Sequence, residues 1–119
     1  MAGTNNDVVG EQAVEEVLEP CEVKFDCDGK TGRGLSTHFS ERGILITCSN
    51  PLPLDRKVKL VLKFPGFKNA IEVQGDVVWT NIHGPNDPLA PRGMGVKFLN
   101  VERDIERLLV ELAGRYEAY

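Results

Sequence analysis

Basic residues are missing from the start of this 119-residue chain: the first is Lys24, and the first arginine is Arg33. Residues 1 to 28 carry eight acids against that one lysine, while the rest carries thirteen bases against ten acids. The net charge of −4 therefore conceals an acidic amino-terminal arm joined to a slightly cationic body. Generic binding to DNA or to anionic lipid needs clustered Lys and Arg that displace counterions, so no DNA partner is expected. Long apolar runs are missing too. None approaches the roughly 20 residues that span a bilayer, and MAGTNNDVVG lacks the basic start and apolar middle of a secretory signal, so no membrane insertion and a cytoplasmic location are expected. Cysteine is sparse. Cys21, Cys27 and Cys48 are an odd count without a C-x-x-C pair, which argues against a disulfide framework or a zinc ribbon and for reduced, packed thiols. Histidine is sparser still: His38 and His83 have no ligand-spaced partner, so no metal site is expected.

What is present is the balance of one folded domain. With 41% hydrophobic and 27% charged residues, a chain of this length can bury roughly two thirds of its unfolded surface without a metal or a disulfide. The arm, residues 1–19, contains EQAVEEVLE, where Val14, Val17 and Leu18 recur at i, i+3 and i+4; this predicts a short acidic amphipathic helix closed by Pro20. From Cys21 the period becomes two. CEVKFDC places Cys21, Val23, Phe25 and Cys27 on one face; DGKTG supplies a turn, RGLSTHF extends, and Ser40-Glu41-Arg42-Gly43 turns the chain into ILITC. PLPLD is a connection, because its prolines cannot donate within a central strand. VKLVLKF points Val58, Leu60, Leu62 and Phe64 inward. IEVQGDVVW points Ile71, Val73, Val77 and Trp79 inward, with a bulge predicted at Gly75. Residues 80–92 hold Pro85, Pro88 and Pro91 and read as a long loop of the kind that often serves binding. GMGVKFLN is a sixth strand. Asn100 is placed to cap a helix carrying Ile105, Leu108, Leu109, Leu112 and Tyr116 on one face. Six short strands and one covering helix predict, for residues 20–119, an all-β domain: a six-stranded antiparallel barrel with a C-terminal α-helix, preceded by the short N-terminal helix.

The ordered set HFSERGILI, VKLVLKFPG, IEVQGDVVW and GMGVKF resembles the PilZ domain family over roughly residues 20 to 116. That resemblance implies a bacterial six-stranded barrel with a C-terminal helix, often a receptor for cyclic di-GMP, and pathways such as type IV pilus function, surface motility or flagellar control. It also implies two ligand elements, an R-x-x-x-R just before the first strand and a D/N-x-S-x-x-G at the turn between the second and third. The turn element maps onto residues 38–43, where Ser40 and Gly43 match and His38 replaces the acid or amide. The arginine pair is absent, and VEEVLEP stands in its place. Guanidinium groups serve such a ligand by forked bonds to phosphate or base and by stacking on the ring, whereas glutamates repel its phosphates.

Candidate cyclic di-GMP contacts, if the ligand is bound at all, are His38, Ser40, Arg42, Gly43 and Arg33. Lys30, Arg33 and Arg42 lie around the first two turns, where they can approach an anion from another direction; as solvated turn charges they need no ligand. His38 can offer an accepting ring nitrogen or be an ordinary strand-end histidine. Ser40 and Gly43 have a sufficient role in the turn itself. Ser40, His38 and Asp26 or Asp28 could be drawn as a catalytic set, but no nucleophile elbow is present, so no enzyme is expected. Gly93-Met94-Gly95 precedes a strand and is not a phosphate-cradling loop. Val61 and Val78 fall on outward phases, and Phe67, Ile82 and Leu89 in turns or loops, a set that can form a docking patch together with the acidic arm. The expectation is a stand-alone PilZ-like regulatory adaptor that binds a protein partner, with no cofactor and with cyclic di-GMP binding lost or weak. The alternatives are a cyclic di-GMP receptor using a modified motif, and a purely structural subunit of a larger assembly.

Overall fold

The computed structural model describes residues 19–82 and 92–117; the predicted amino-terminal helix, and His83 and Leu89 in the long loop, lie outside them. Six strands, β1 (Cys21–Cys27), β2 (Lys30–Phe39), β3 (Gly43–Thr47), β4 (Lys57–Lys63), β5 (Ile71–Thr80) and β6 (Gly93–Leu99), precede helix α1 (Arg103–Glu117). Every pairing is antiparallel, and β1 bonds both β2 and β4, so the sheet closes into a barrel in the order β1-β2-β3-β6-β5-β4. Closure removes the unpaired edges that short strands of this kind would otherwise expose.

The alternation in the sequence becomes the two faces of the wall. Cys21, Val23, Phe25 and Cys27 of β1, Val58, Leu60 and Leu62 of β4, Ile71, Val73 and Val77 of β5, and Met94, Val96 and Phe98 of β6 are all buried, joined by Ile44 and Ile46 of β3. Leu109, Leu112 and Ala113 of α1 join the same core, with Ile105 and Leu108 half-buried against it. At the far end of the helix, Tyr116 packs edge-on against Phe39 with centroids 5.4 Å apart, and Phe39 in turn lies 5.1 Å from Phe64. The Tyr116 hydroxyl donates to the Glu19 carbonyl at 2.8 Å, which ties the end of the helix to the point where the chain enters β1. Arg115 stands over the Phe67 ring at 5.4 Å, so Phe67 packs against the domain instead of standing exposed.

Three local expectations are corrected. Gly75 pairs regularly, facing Val58 and Phe98, and the bulge falls two residues later, between Val77 and Trp79. There β5 advances two residues while β6 advances one, from Val96 to Gly95. The extra residue reverses the phase, so Trp79, expected inside, is 50% exposed on the outer wall beside Val78 at 56%. Asn100 does not cap α1. It adopts a left-handed conformation, φ 53°, which its short polar side chain tolerates, and the first helical bond runs from the Glu106 N–H to the Glu102 carbonyl at 2.9 Å.

All three cysteines are free and buried, as the sequence predicts. Burial pushes the Cys21 thiol up to about 12 and the Cys48 thiol up to about 11 from an ordinary value near 9. A raised folded value means that the stability these groups contribute is complete below pH 9 and is lost as pH climbs through 11 to 12, because the unfolded chain ionises first. Raising the pH from 8 to 10 is therefore expected to lower unfolding free energy by about 1.4 kcal/mol for each of the two thiols, measured by urea denaturation. Replacing both by alanine would remove that pH-dependent component.

Candidate functional site

The turn joining β2 to β3 is held by its own backbone and by Ser40. The Ser40 N–H donates to the Gly43 carbonyl at 2.9 Å, and Ser40 Oγ accepts the Arg42 N–H at 3.0 Å. The Arg42 carbonyl accepts the Phe98 N–H at 2.8 Å, fixing the turn to β6. Gly43 faces Lys97 across that seam, and a Cβ on it would lie 2.5 Å from the Val96 carbonyl oxygen. Both motif residues thus have a role that requires no ligand: the hydroxyl shapes the turn and the glycine lets two backbones approach. Ahead of the turn, the register of β2 against β3 shifts between Leu35 and His38. Ser36 is buried there; its Oγ accepts the His38 N–H at 3.2 Å and donates to the His38 carbonyl at 3.1 Å. His38 itself is exposed, with Nδ1 3.1 Å from Thr37 Oγ1.

Those two irregularities, one in β2 and one in β5, align a transverse row on the outer wall. His38 faces Leu45, Leu45 faces Gly95, and Gly95 faces Trp79. Gly95 forms the floor: a Cβ on it would meet Leu45 Cδ2 at 3.1 Å and Trp79 Cβ at 3.4 Å, so the two large side chains flank it. Leu45 is 52% exposed. With Val78 they make an apolar strip in a groove of about 850 Å³, whose lining also includes His38, Ser40, Arg42, Gly43, Lys97 and Tyr116. Arg42 and Lys97 are exposed beside it, and among the described residues no Asp or Glu lines it.

Four of the five candidate contacts, His38, Ser40, Arg42 and Gly43, therefore share one groove, and Arg33 does not. Arg33 pairs across from Lys24 on β1 and lines a separate cavity with Lys24, Lys59 and Glu72. Five residues of extended chain, about 16 Å, separate it from His38. The expected docking set also shifts. Val61 is half-buried in that second cavity, Phe67 is packed, Ile82 is half-buried, and Val78 alone of the described members is exposed. Sequence reasoning missed Leu45 and Lys97, although ILIT signals the first: if Ile44 and Ile46 point in, Leu45 points out. Nothing in IEVQGDVVW signals the outward turn of Trp79.

Chemically, the groove offers an aromatic face, two cations and turn hydroxyls, which suit stacking, an anion or an apolar segment. The Ser40 hydroxyl accepts the Arg42 N–H within its own turn, and Cys21 and Cys48, whose thiols burial pushes up, do not line the groove. Among the described residues, no group of three His, Cys, Asp or Glu could hold a metal ion, and no helix is long and apolar enough to cross a membrane.

The family model of the PilZ domain matches residues 17–115. The chain is similar in structure to the Bacillus subtilis inhibitor of motility (MotI/DgrA), with a TM-score of 0.66 and 18% sequence identity; the match covers 86% of this chain and 48% of that one. This chain thus corresponds to about half of that protein's length. No curated protein matches it.

Proposed function

Since the chain belongs to the PilZ domain family, we propose that it is a non-catalytic regulatory adaptor that docks another protein on the Leu45–Trp79 strip, with cyclic di-GMP binding lost or greatly weakened. The observation that carries this reading is the strip: three large apolar side chains, Leu45, Val78 and Trp79, each about half exposed and lining one groove. Covering them contributes about 1 kcal/mol each, since full burial of such a side chain is worth about 1.5 to 3 kcal/mol. An aromatic anchor that shares a groove with aliphatic residues and two cations has the composition of an interface centre. The weakened ligand binding is supported by the sequence ahead of β1, which has no base before Lys24. The likeness in fold to an inhibitor of motility supports an output in bacterial motility or cyclic di-GMP-related signalling.

The combined substitution Leu45→Asp and Trp79→Asp changes two outward side chains and leaves the core intact. It is expected to abolish co-precipitation of the partner that the unaltered chain retains from an extract of its native cell. Equal capture by the doubly substituted chain would overturn the reading.

A second reading, a cyclic di-GMP receptor with a modified motif, is favoured by one observation: His38, Ser40, Arg42 and Gly43 line the same groove as Trp79 and Lys97. On that reading Arg42→Ala and added salt both weaken ligand binding, and Arg33→Ala does not.

A further inference from the structure

The strip runs across the strands. Leu45 faces Gly95 and Gly95 faces Trp79, so its ends lie two strand spacings apart, about 10 Å, on a wall where each of the six strands already bonds a neighbour on both sides. A partner cannot add a strand to a closed barrel, and an extended segment laid along this row would set unpaired N–H and C=O groups of its own against apolar side chains. A helix brings its backbone bonds with it. Its residues i and i+7 are about 10.5 Å apart on one face, which matches the separation of Leu45 from Trp79, and those at i+3 and i+4 fall over Gly95, where the wall carries no side chain. Charge gives the second constraint. Gly43 faces Lys97 in the row beside the strip, so Arg42 and Lys97 stand together along one long side of it. Asp76, which pairs across from Lys97, is taken up by Lys57 at 3.4 Å.

We propose that the partner segment docked on the strip is an acidic amphipathic helix. Apolar residues at i, i+3 or i+4, and i+7 lie over Leu45, Gly95 and Trp79, and carboxylates on one flank face Arg42 and Lys97. This rests on the strip being the docking surface and names what that surface accepts.

Trp79 is the only tryptophan of the chain and stands in the strip, so its emission reports occupancy. Three synthetic peptides without tryptophan serve as probes: a helix of about 14 residues with leucine at i, i+3, i+4 and i+7 and glutamate on one flank, the same helix with lysine for glutamate, and the first peptide with proline at its centre. Titrated into the purified full chain, the glutamate helix is expected to shift Trp79 emission saturably to shorter wavelength. It is expected to bind about tenfold more tightly than the lysine helix, the scale of two exposed ion pairs made or opposed. The proline peptide, whose helix is broken, is expected to give no saturable shift. In the Arg42→Glu, Lys97→Glu chain the glutamate and lysine helices exchange rank, which a misfolded chain would not do. The glutamate helix is also expected to release the partner captured from the native extract, and the lysine helix is not. Equal binding of the two helices, undiminished binding of the proline peptide, no response of Trp79, or a partner that the glutamate helix fails to release would each overturn the proposal. If the Leu45→Asp, Trp79→Asp chain loses capture while the peptides go undiscriminated, this proposal falls alone; if that chain keeps full capture, the docking reading itself falls.

Discussion

The double substitution Glu15→Arg and Glu19→Arg is expected to raise affinity for cyclic di-GMP about 100- to 10,000-fold. The spacing restores an R-x-x-x-R immediately ahead of β1 in place of two glutamates. Each charged hydrogen bond to phosphate or base contributes about 1.5 to 3 kcal/mol, so two contribute about 3 to 6 kcal/mol, and every 1.4 kcal/mol is tenfold in affinity. The anchor of the arm is not at risk, because Tyr116 binds the backbone carbonyl of Glu19 and not its side chain. Isothermal titration of both chains measures the ratio. A doubly substituted chain that binds no better than the original would show that the groove itself, with His38 in place of an acid or amide, excludes the ligand.

Leu109→Ala is expected to cost about 3 to 4 kcal/mol of unfolding free energy, a large share of the 5 to 15 kcal/mol typical of a domain. Leu109 is fully buried where α1 meets the barrel core, and the cavity it would leave is walled by strands paired on both edges. The barrel has little freedom to collapse around it. Urea denaturation followed by circular dichroism measures the loss; a value below 1 kcal/mol would mean that the helix rests on the barrel without being keyed into it. Val110, on the opposite face and 53% exposed, is the internal control, with no comparable loss expected on substitution by alanine.

The six strands and α1 were legible because each buries one face, and a strand or helix that buries one face writes its period into the sequence. CEVKFDC and VKLVLKF pass into β1 and β4 with no change of phase. Phase fails where a residue is inserted into the ladder. The bulge between Val77 and Trp79 comes from how β5 meets β6, a long-range pairing, so it left no mark in the local pattern and the tryptophan was placed on the wrong side. The candidate site divides for a related reason. His38, Ser40, Arg42 and Gly43 are neighbours in sequence and remain so in space, whereas Arg33 points out from the wall where β2 borders β1, away from β3 and β6. Which strands border which is set by the closure order of the barrel, and composition does not contain it. Lys97 and Trp79 reach the groove only through that order.

The central claim is that this PilZ domain lacks a strong grip on cyclic di-GMP because no guanidinium pair precedes β1. Isothermal titration of the unaltered full chain with cyclic di-GMP tests it most directly. No saturable heat through the micromolar range is predicted; a saturable isotherm with a low-micromolar dissociation constant would contradict it.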